Sequence, residues 1–148
     1  MDIISKLERQ NVKVTEIPKW GSYLRKTWEN RFAASMELPE RDTILVSHFL
    51  WHLFSYEMKP CFTCGQADQA FNEQPKRDCF LFYQHTDDAY ILELAGKLTA
   101  SDLTAEEDAY ITDKDMTWTY VVAHESAYGP YFCFTFHVDE SSFIGGHR

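Results

Sequence analysis

Five short runs in the second half of the chain constrain its fold more than any other feature. They are CFLFYQH (79–85), AYILEL (89–94), AYITD (109–113), TWTYVVAH (117–124) and YFCFTFHV (131–138). Each is rich in aromatic and β-branched residues, and charged or glycine-bearing turns separate them, so they read as successive and mostly antiparallel strands. The residues Asp113, Lys114 and Asp115 fall where a hairpin tip would join the third run to the fourth.

The first half has a different period. DIISKLERQ places Ile3, Ile4 and Leu7 on one face of a short helix, and NVKVTEI then alternates like a strand. From Pro18, the stretch PKWGSYLRKTWENRFAASM repeats Trp20, Leu24, Trp28 and Phe32 at intervals of four. That spacing predicts a helix with an apolar stripe towards the core, which Gly21 weakens slightly without ending. After Pro39 the run ERDTILVSHFLWHLFSYE reads as a helix to about His48 and then, through the continuous aromatic run LWHLFSY, as a buried strand. CGQADQAFNEQ reads as another short helix, with Ala67, Ala70 and Phe71 inward and Pro75 ending it. Helices gathered early and strands gathered late predict one α+β domain, with a mostly antiparallel sheet of five to six strands and the N-terminal helices packed on one face. A chain of 148 residues, 45% apolar, is long enough to bury such a core. It shows no signal-peptide pattern and no stretch of membrane-spanning length, which leads us to expect a cytoplasmic protein.

Charge is the next constraint. Of a net −9, residues 86–115 carry −7, with nine Asp or Glu against two Lys. A negative field concentrated in this way argues against direct binding to nucleic acid and suits a basic partner, although solubility alone also accounts for it. Asp87 and Asp88 in one turn, Glu106, Glu107 and Asp108 before the third run, and Asp113 and Asp115 at the hairpin tip are all expected to lie near solvent, because carboxylates gathered together are costly to bury. If these turns share one end of the sheet, they form an acidic rim around aromatic side chains. Trp118 and Tyr120 are then candidate anchors, with Tyr128 and Tyr131 as further exposed aromatics.

Catalytic chemistry is less clearly specified. CFTC puts Cys61 and Cys64 at the spacing of half a zinc site, but the second pair that a tetrahedral ion wants is missing, and Cys79 and Cys133 lie inside strand patterns as ordinary buried thiols. Cys61 and Cys64 are thus weak metal candidates, and a cofactor is not expected. His48 and His52 stand four apart, yet Phe49 occupies the place of the glutamate that the zinc-protease motif needs. His85 near Asp87, and His124 beside Glu125, bring imidazoles close to carboxylates as acid/base catalysis would require, without an accompanying nucleophile elbow or phosphate loop.

Several stretches carry a family resemblance: VTEIPKWGSYLRKTWENRFA, FLWHLFSYE, AFNEQPKRDCFLFYQH and EEDAYITDKDMTWTYVVAHESAYGPYF. Between about Val14 and Phe132 the chain resembles a family of small bacterial proteins known as domain of unknown function 4275, most specifically in IPKWG, LWHLFSYE, Trp118, His124-Glu125 and the Gly129-Pro130-Tyr131-Phe132 run. CFTC stands where that pattern has a more acidic loop, and the tail from Cys133 extends beyond it. The resemblance supplies no catalytic residues. It implies the role that similar small acidic proteins play, as immunity partners (antitoxins) of bacterial toxins, here LXG-type toxins with nuclease domains encoded by an adjacent gene. The expectation is therefore a protein that binds such a toxin and occludes it without catalysis. A small metal-dependent or acid/base enzyme and a regulatory protein-binding module are the alternatives.

Overall fold

The computed structural model describes residues 2–34, 49–56, 59–125 and 129–135. Its frame is a seven-stranded sheet in the order β1-β4-β3-β5-β6-β7-β2, every neighbouring pair antiparallel. The strands are β1 (Lys13–Glu16), β2 (Phe62–Thr63), β3 (Asp78–Tyr83), β4 (Ala89–Glu93), β5 (Ala109–Asp113), β6 (Trp118–Val122) and β7 (Tyr131–Phe134). All five late runs are strands, and β1 and the two-residue β2 extend the sheet at its edges. The α+β class holds, with one more strand than the upper expectation.

The helices are α1 (Ile3–Arg9), α2 (Gly21–Phe32), α3 (His52–Ser55) and α4 (Cys64–Glu73), with a 3-10 turn at Ala100–Leu103. They cover both faces of the sheet rather than one. Leu7 of α1 and Ala67 and Phe71 of α4 pack with Leu81, Ile111, Trp118, Tyr120 and Phe132. On the other face Leu24, Trp28 and Phe32 of α2 and Leu53 and Phe54 of α3 pack with Phe82, Tyr110, Val121 and Tyr131. Consecutive strand residues such as Leu81 and Phe82 point to opposite faces, so runs with little polar alternation signal burial on both sides.

Two further expectations need correction. The stripe Leu24, Trp28, Phe32 is buried, but Trp20 is 45% exposed, because α2 begins only at Gly21 after a turn in which Lys19 takes a positive φ of 69°. Gly21 is where α2 meets the sheet. Its N–H donates to the Asp87 carbonyl at 3.2 Å, and a methyl group there would sit 2.7 Å from Asp87 Cα and 2.8 Å from the Thr86 oxygen. The expected strand in LWHLFSY is instead a turn and the short helix α3, its Leu53 and Phe54 buried. A continuous apolar run does not distinguish a buried strand from a buried helical turn. The helix expected to about His48, Tyr128 and the tail from residue 136 lie outside the described residues.

Deeper in this second core the Trp28 indole N–H donates to Thr119 Oγ1 at 3.0 Å, and that hydroxyl donates to the Ile111 carbonyl at 3.1 Å. The polar edge of the largest buried ring is thus satisfied across the sheet. Replacing Gly21 by Ala is expected to destabilise the fold by about 1–3 kcal/mol, the usual cost of forcing atoms into a packed contact. Urea unfolding measures it, and a change below about 0.5 kcal/mol would show that α2 can retreat from the Thr86–Asp87 turn at no cost.

Candidate partner-binding surface

At one end of the sheet, β3 leads into the turn before β4, β5 begins, and β6 ends. The register fixes this, since Tyr83 pairs with Ala109 and Ala109 with Val122. Asp108, one residue before β5, organises the end. Expected near solvent, it is 8% exposed and sits at a φ of 52°, a conformation that Asp adopts more readily than most residues. Its carboxylate accepts the Trp51 indole N–H at 2.9 Å, the His124 backbone N–H at 3.1 Å, and His124 Nδ1 at 3.0 and 3.1 Å through its two oxygens. Those donors offset the desolvation that would otherwise make burial of a carboxylate costly. The interaction also fixes the imidazole, leaving Nε2 as the other ring atom with hydrogen-bonding capacity.

A second polar knot lies beneath. Trp51 N donates to the Tyr110 hydroxyl at 3.2 Å, Tyr110 donates to Gln84 Oε1, and Leu50 N donates to the same oxygen at 3.0 Å. Burial pushes the Tyr110 phenol well above its ordinary range, which keeps it a donor. Both knots tie the segment before α3 to the sheet end and bring aromatic rings together there. The Phe49 ring lies 5.7 Å from His52, 5.1 Å from His85 and 4.9 Å from His124, centroid to centroid, and Tyr56 stacks on His52 at 4.4 Å.

Next to His124 opens a cleft of about 280 Å³ lined by Asp68, Glu106, Glu107, Tyr120, Glu125 and Pro130 among others, with no Lys or Arg among the described residues that line it. Tyr120 donates to Asp68 and Tyr83 to Glu106, each at 2.6 Å. Burial first, and then the neighbouring carboxylate, raises both phenols above the ordinary tyrosine range. Burial likewise raises Tyr90, helped by the negative charges of Asp88, Glu16, Asp2 and Glu106. Asp87 and Asp88 are exposed, and Arg25 pairs with Asp87 at 3.2 Å while donating to the Tyr83 and Thr86 carbonyls.

The acids predicted from the sequence therefore divide. Asp87, Asp88, Glu106, Glu107 and Asp108 share one end, whereas Asp113 and Asp115 lie at the other, about 16 Å away along β5. Asp113 is a turn residue: its carboxylate accepts Thr117 N at 2.6 Å, Trp118 N at 3.2 Å and the Thr117 hydroxyl. Asp115 is exposed, with Arg31 bonded to its carbonyl. Trp118 and Tyr120 are core residues, 4% and 2% exposed, with Tyr120 stacked on Phe71 at 4.3 Å; neither ring is a surface anchor, though the Tyr120 hydroxyl reaches the cleft. Tyr131 is buried too.

Cys64, exposed, opens α4, and Cys61 is half-buried nearby; among the described residues no three His, Cys, Asp or Glu side chains converge as a metal site. Cys79 and Cys133 are buried, and burial pushes the Cys79 thiol up to about 12 and Cys133 further still. Phe49, His52 and Tyr56 were not singled out from sequence as surface residues. For His52 and Tyr56 the signal was the mixture of His, Ser and Tyr within LWHLFSY, which a fully buried strand would not carry; Phe49 precedes that run and carried no such signal.

Fold and surface define a small antiparallel α+β protein whose sheet ends in a carboxylate-lined cleft beside a cluster of aromatic and imidazole rings. The chain belongs to the family described as Domain of unknown function (DUF4275), whose model matches residues 1–132. That match reaches the N-terminus, beyond the region recognised from motifs, and stops within β7. No curated protein and no solved structure matches the chain.

Asp108→Ala, by leaving the Trp51 and His124 donors without their acceptor, is expected to cost about 2–4 kcal/mol, and Asp108→Asn less, because an amide oxygen still accepts and Asn tolerates the same backbone conformation. Equilibrium unfolding followed by tryptophan fluorescence measures both. Equal and negligible losses would mean that the carboxylate does not hold this end together.

Proposed function

We propose that this protein is an immunity protein: it binds a cognate bacterial toxin in the cytoplasm, a nuclease with a basic substrate groove, and blocks it by occlusion. The observation that carries this reading is the gathering of Glu106, Glu107 and Glu125 with Asp68 around one cleft, with Asp87 and Asp88 at the same end of the sheet, in a chain of net −9. A groove that binds phosphates is positive, and a partner presenting carboxylates at one end is steered towards it and held in register by charge. Proteins of this charge distribution repel nucleic acid, so the partner is a protein rather than the nuclease's substrate.

A second reading is favoured by one observation. The Asp108–His124 pair is the arrangement in which a carboxylate orients an imidazole for general acid/base work, and it stands at the cleft edge. It makes His124 the candidate base of a small enzyme, together with Glu125, whereas the immunity reading makes it part of a binding surface. A regulatory module with an unrelated basic partner uses the same surface and differs only in the partner.

The test is binding of the purified chain to the C-terminal domain of the large protein encoded by the neighbouring gene, followed by surface plasmon resonance at low and physiological salt. Tight, salt-sensitive association with loss of the toxin's activity is expected. Reversing Glu106 and Glu107 to Lys should slow association about tenfold and flatten its salt dependence, while reversing Asp115, at the far end, should change it little. Binding without inhibition would point to the regulatory module, and no binding would overturn the immunity reading for that partner.

A further inference from the structure

The ring cluster around Phe49 lies at the margin of the second core, against which Phe49 itself packs. Tyr56 is 52% exposed, His85 and His124 are exposed, and Phe49 and His52 are half-buried, so five rings from three separate segments meet at the surface. The cluster adjoins the acidic cleft through His124, which belongs to both, and Glu125 follows it in the chain. Beneath, Trp51 packs at 4.5 Å from His52 and 5.4 Å from His124, and Asp108 holds both Trp51 and His124. The rings are thereby fixed to a rigid sheet end before any partner arrives, and a preorganised surface loses little entropy on binding.

Ring faces beside carboxylates match one side chain better than any other. The arginine guanidinium is planar, weakly hydrated, stacks on aromatic faces and hydrogen bonds to carboxylates in a fixed fork, whereas the lysine ammonium is a compact and strongly hydrated point charge. We propose that the Phe49, His52, Tyr56, His85 and His124 cluster is an arginine-reading platform, taking guanidinium groups of the basic partner against its rings while Glu107 and Glu125 supply the charge. This rests on the partner-binding reading above and adds its chemistry: the surface selects arginine over lysine, and so selects partners whose basic groove is lined with arginine. Tyr56 and His85 are the exposed members, resting on His52 and Phe49, and the buried Trp51–Asp108 pair supports His52 and His124 without touching the partner.

The experiment uses the full chain and two probes, an oligoarginine and an oligolysine peptide of equal length, titrated by isothermal calorimetry at low salt. Oligoarginine should bind about fivefold more tightly, on the scale of an exposed guanidinium–ring contact. Tyr56→Ala combined with His85→Ala, both at exposed positions and checked for folding by circular dichroism, should bring the two affinities together. Glu107→Gln combined with Glu125→Gln should weaken both peptides alike. Equal affinities in the parent chain, a preference that survives loss of Tyr56 and His85, or failure of both peptides to bind would each overturn the platform. The immunity reading is judged separately, by inhibition of the toxin, so either can fail without the other.

Discussion

The end of the sheet on which function is proposed depends on one buried carboxylate. Asp108 accepts hydrogen bonds from the Trp51 indole, the His124 amide and the His124 ring, joining the start of β5, the segment before α3 and the exit from β6. Backbone hydrogen bonds hold them to other neighbours, Gln84 N–H to the Asp108 carbonyl at 3.0 Å and the Phe54 and Ser55 N–H groups to the Trp51 carbonyl at 2.9 and 3.2 Å, but these bonds do not tie the three segments to one another. A buried acceptor with several donors does, because each donor would lose more by going unpaired than it gains by moving away. The neighbouring knot of Gln84, Tyr110 and the amides of Leu50 and Trp51 repeats the device one layer deeper.

This tethering follows from the sheet's being covered on both faces. With α1 and α4 on one side and α2 and α3 on the other, the flat surfaces are occupied by core, and the strand ends are left to present side chains outward. The two ends differ in how they use their acids. At the β5–β6 hairpin Asp113 is bonded into its own turn, so its charge stabilises local structure. At the other end Glu106 and Asp68 each accept one tyrosine hydroxyl, and a carboxylate has lone pairs to spare beyond that bond. The tyrosines orient the carboxylates, and the remaining acceptors face a cleft that no Lys or Arg lines among the described residues.

Much of this architecture was legible in the chain. The five late strands announced themselves through β-branched and aromatic runs between charged turns, but their order did not, since β5 pairs with β3 rather than with β4. Leu24, Trp28 and Phe32 were read correctly as core, but Trp20 was not, since periodicity alone cannot show that Lys19 reverses the backbone just before the helix. The acid run Glu106, Glu107, Asp108 looked uniformly solvated, and only the third dimension supplies Asp108 with donors from residues 51 and 124. Trp118 and Tyr120 failed as anchors for the complementary reason. A strand between covered faces buries both of its sides, and sequence gives the alternation without saying what lies over each side. Of the exposed rings, Tyr56 came from LWHLFSY, an aromatic run that had been read as a buried strand, and His85 and His124 came from the exits of β3 and β6.

The central claim is that the Asp108 end of the sheet, and not the Asp113 end, meets a basic protein partner. Hydrogen–deuterium exchange of the chain, alone and in complex with the toxin domain proposed as its partner, tests it most directly. Protection on binding should concentrate in residues 49–56, 84–88, 104–108 and 122–125, with the hairpin around 113–117 unchanged. Protection centred on that hairpin or along α2, with the Asp108 end unaffected, would contradict the account.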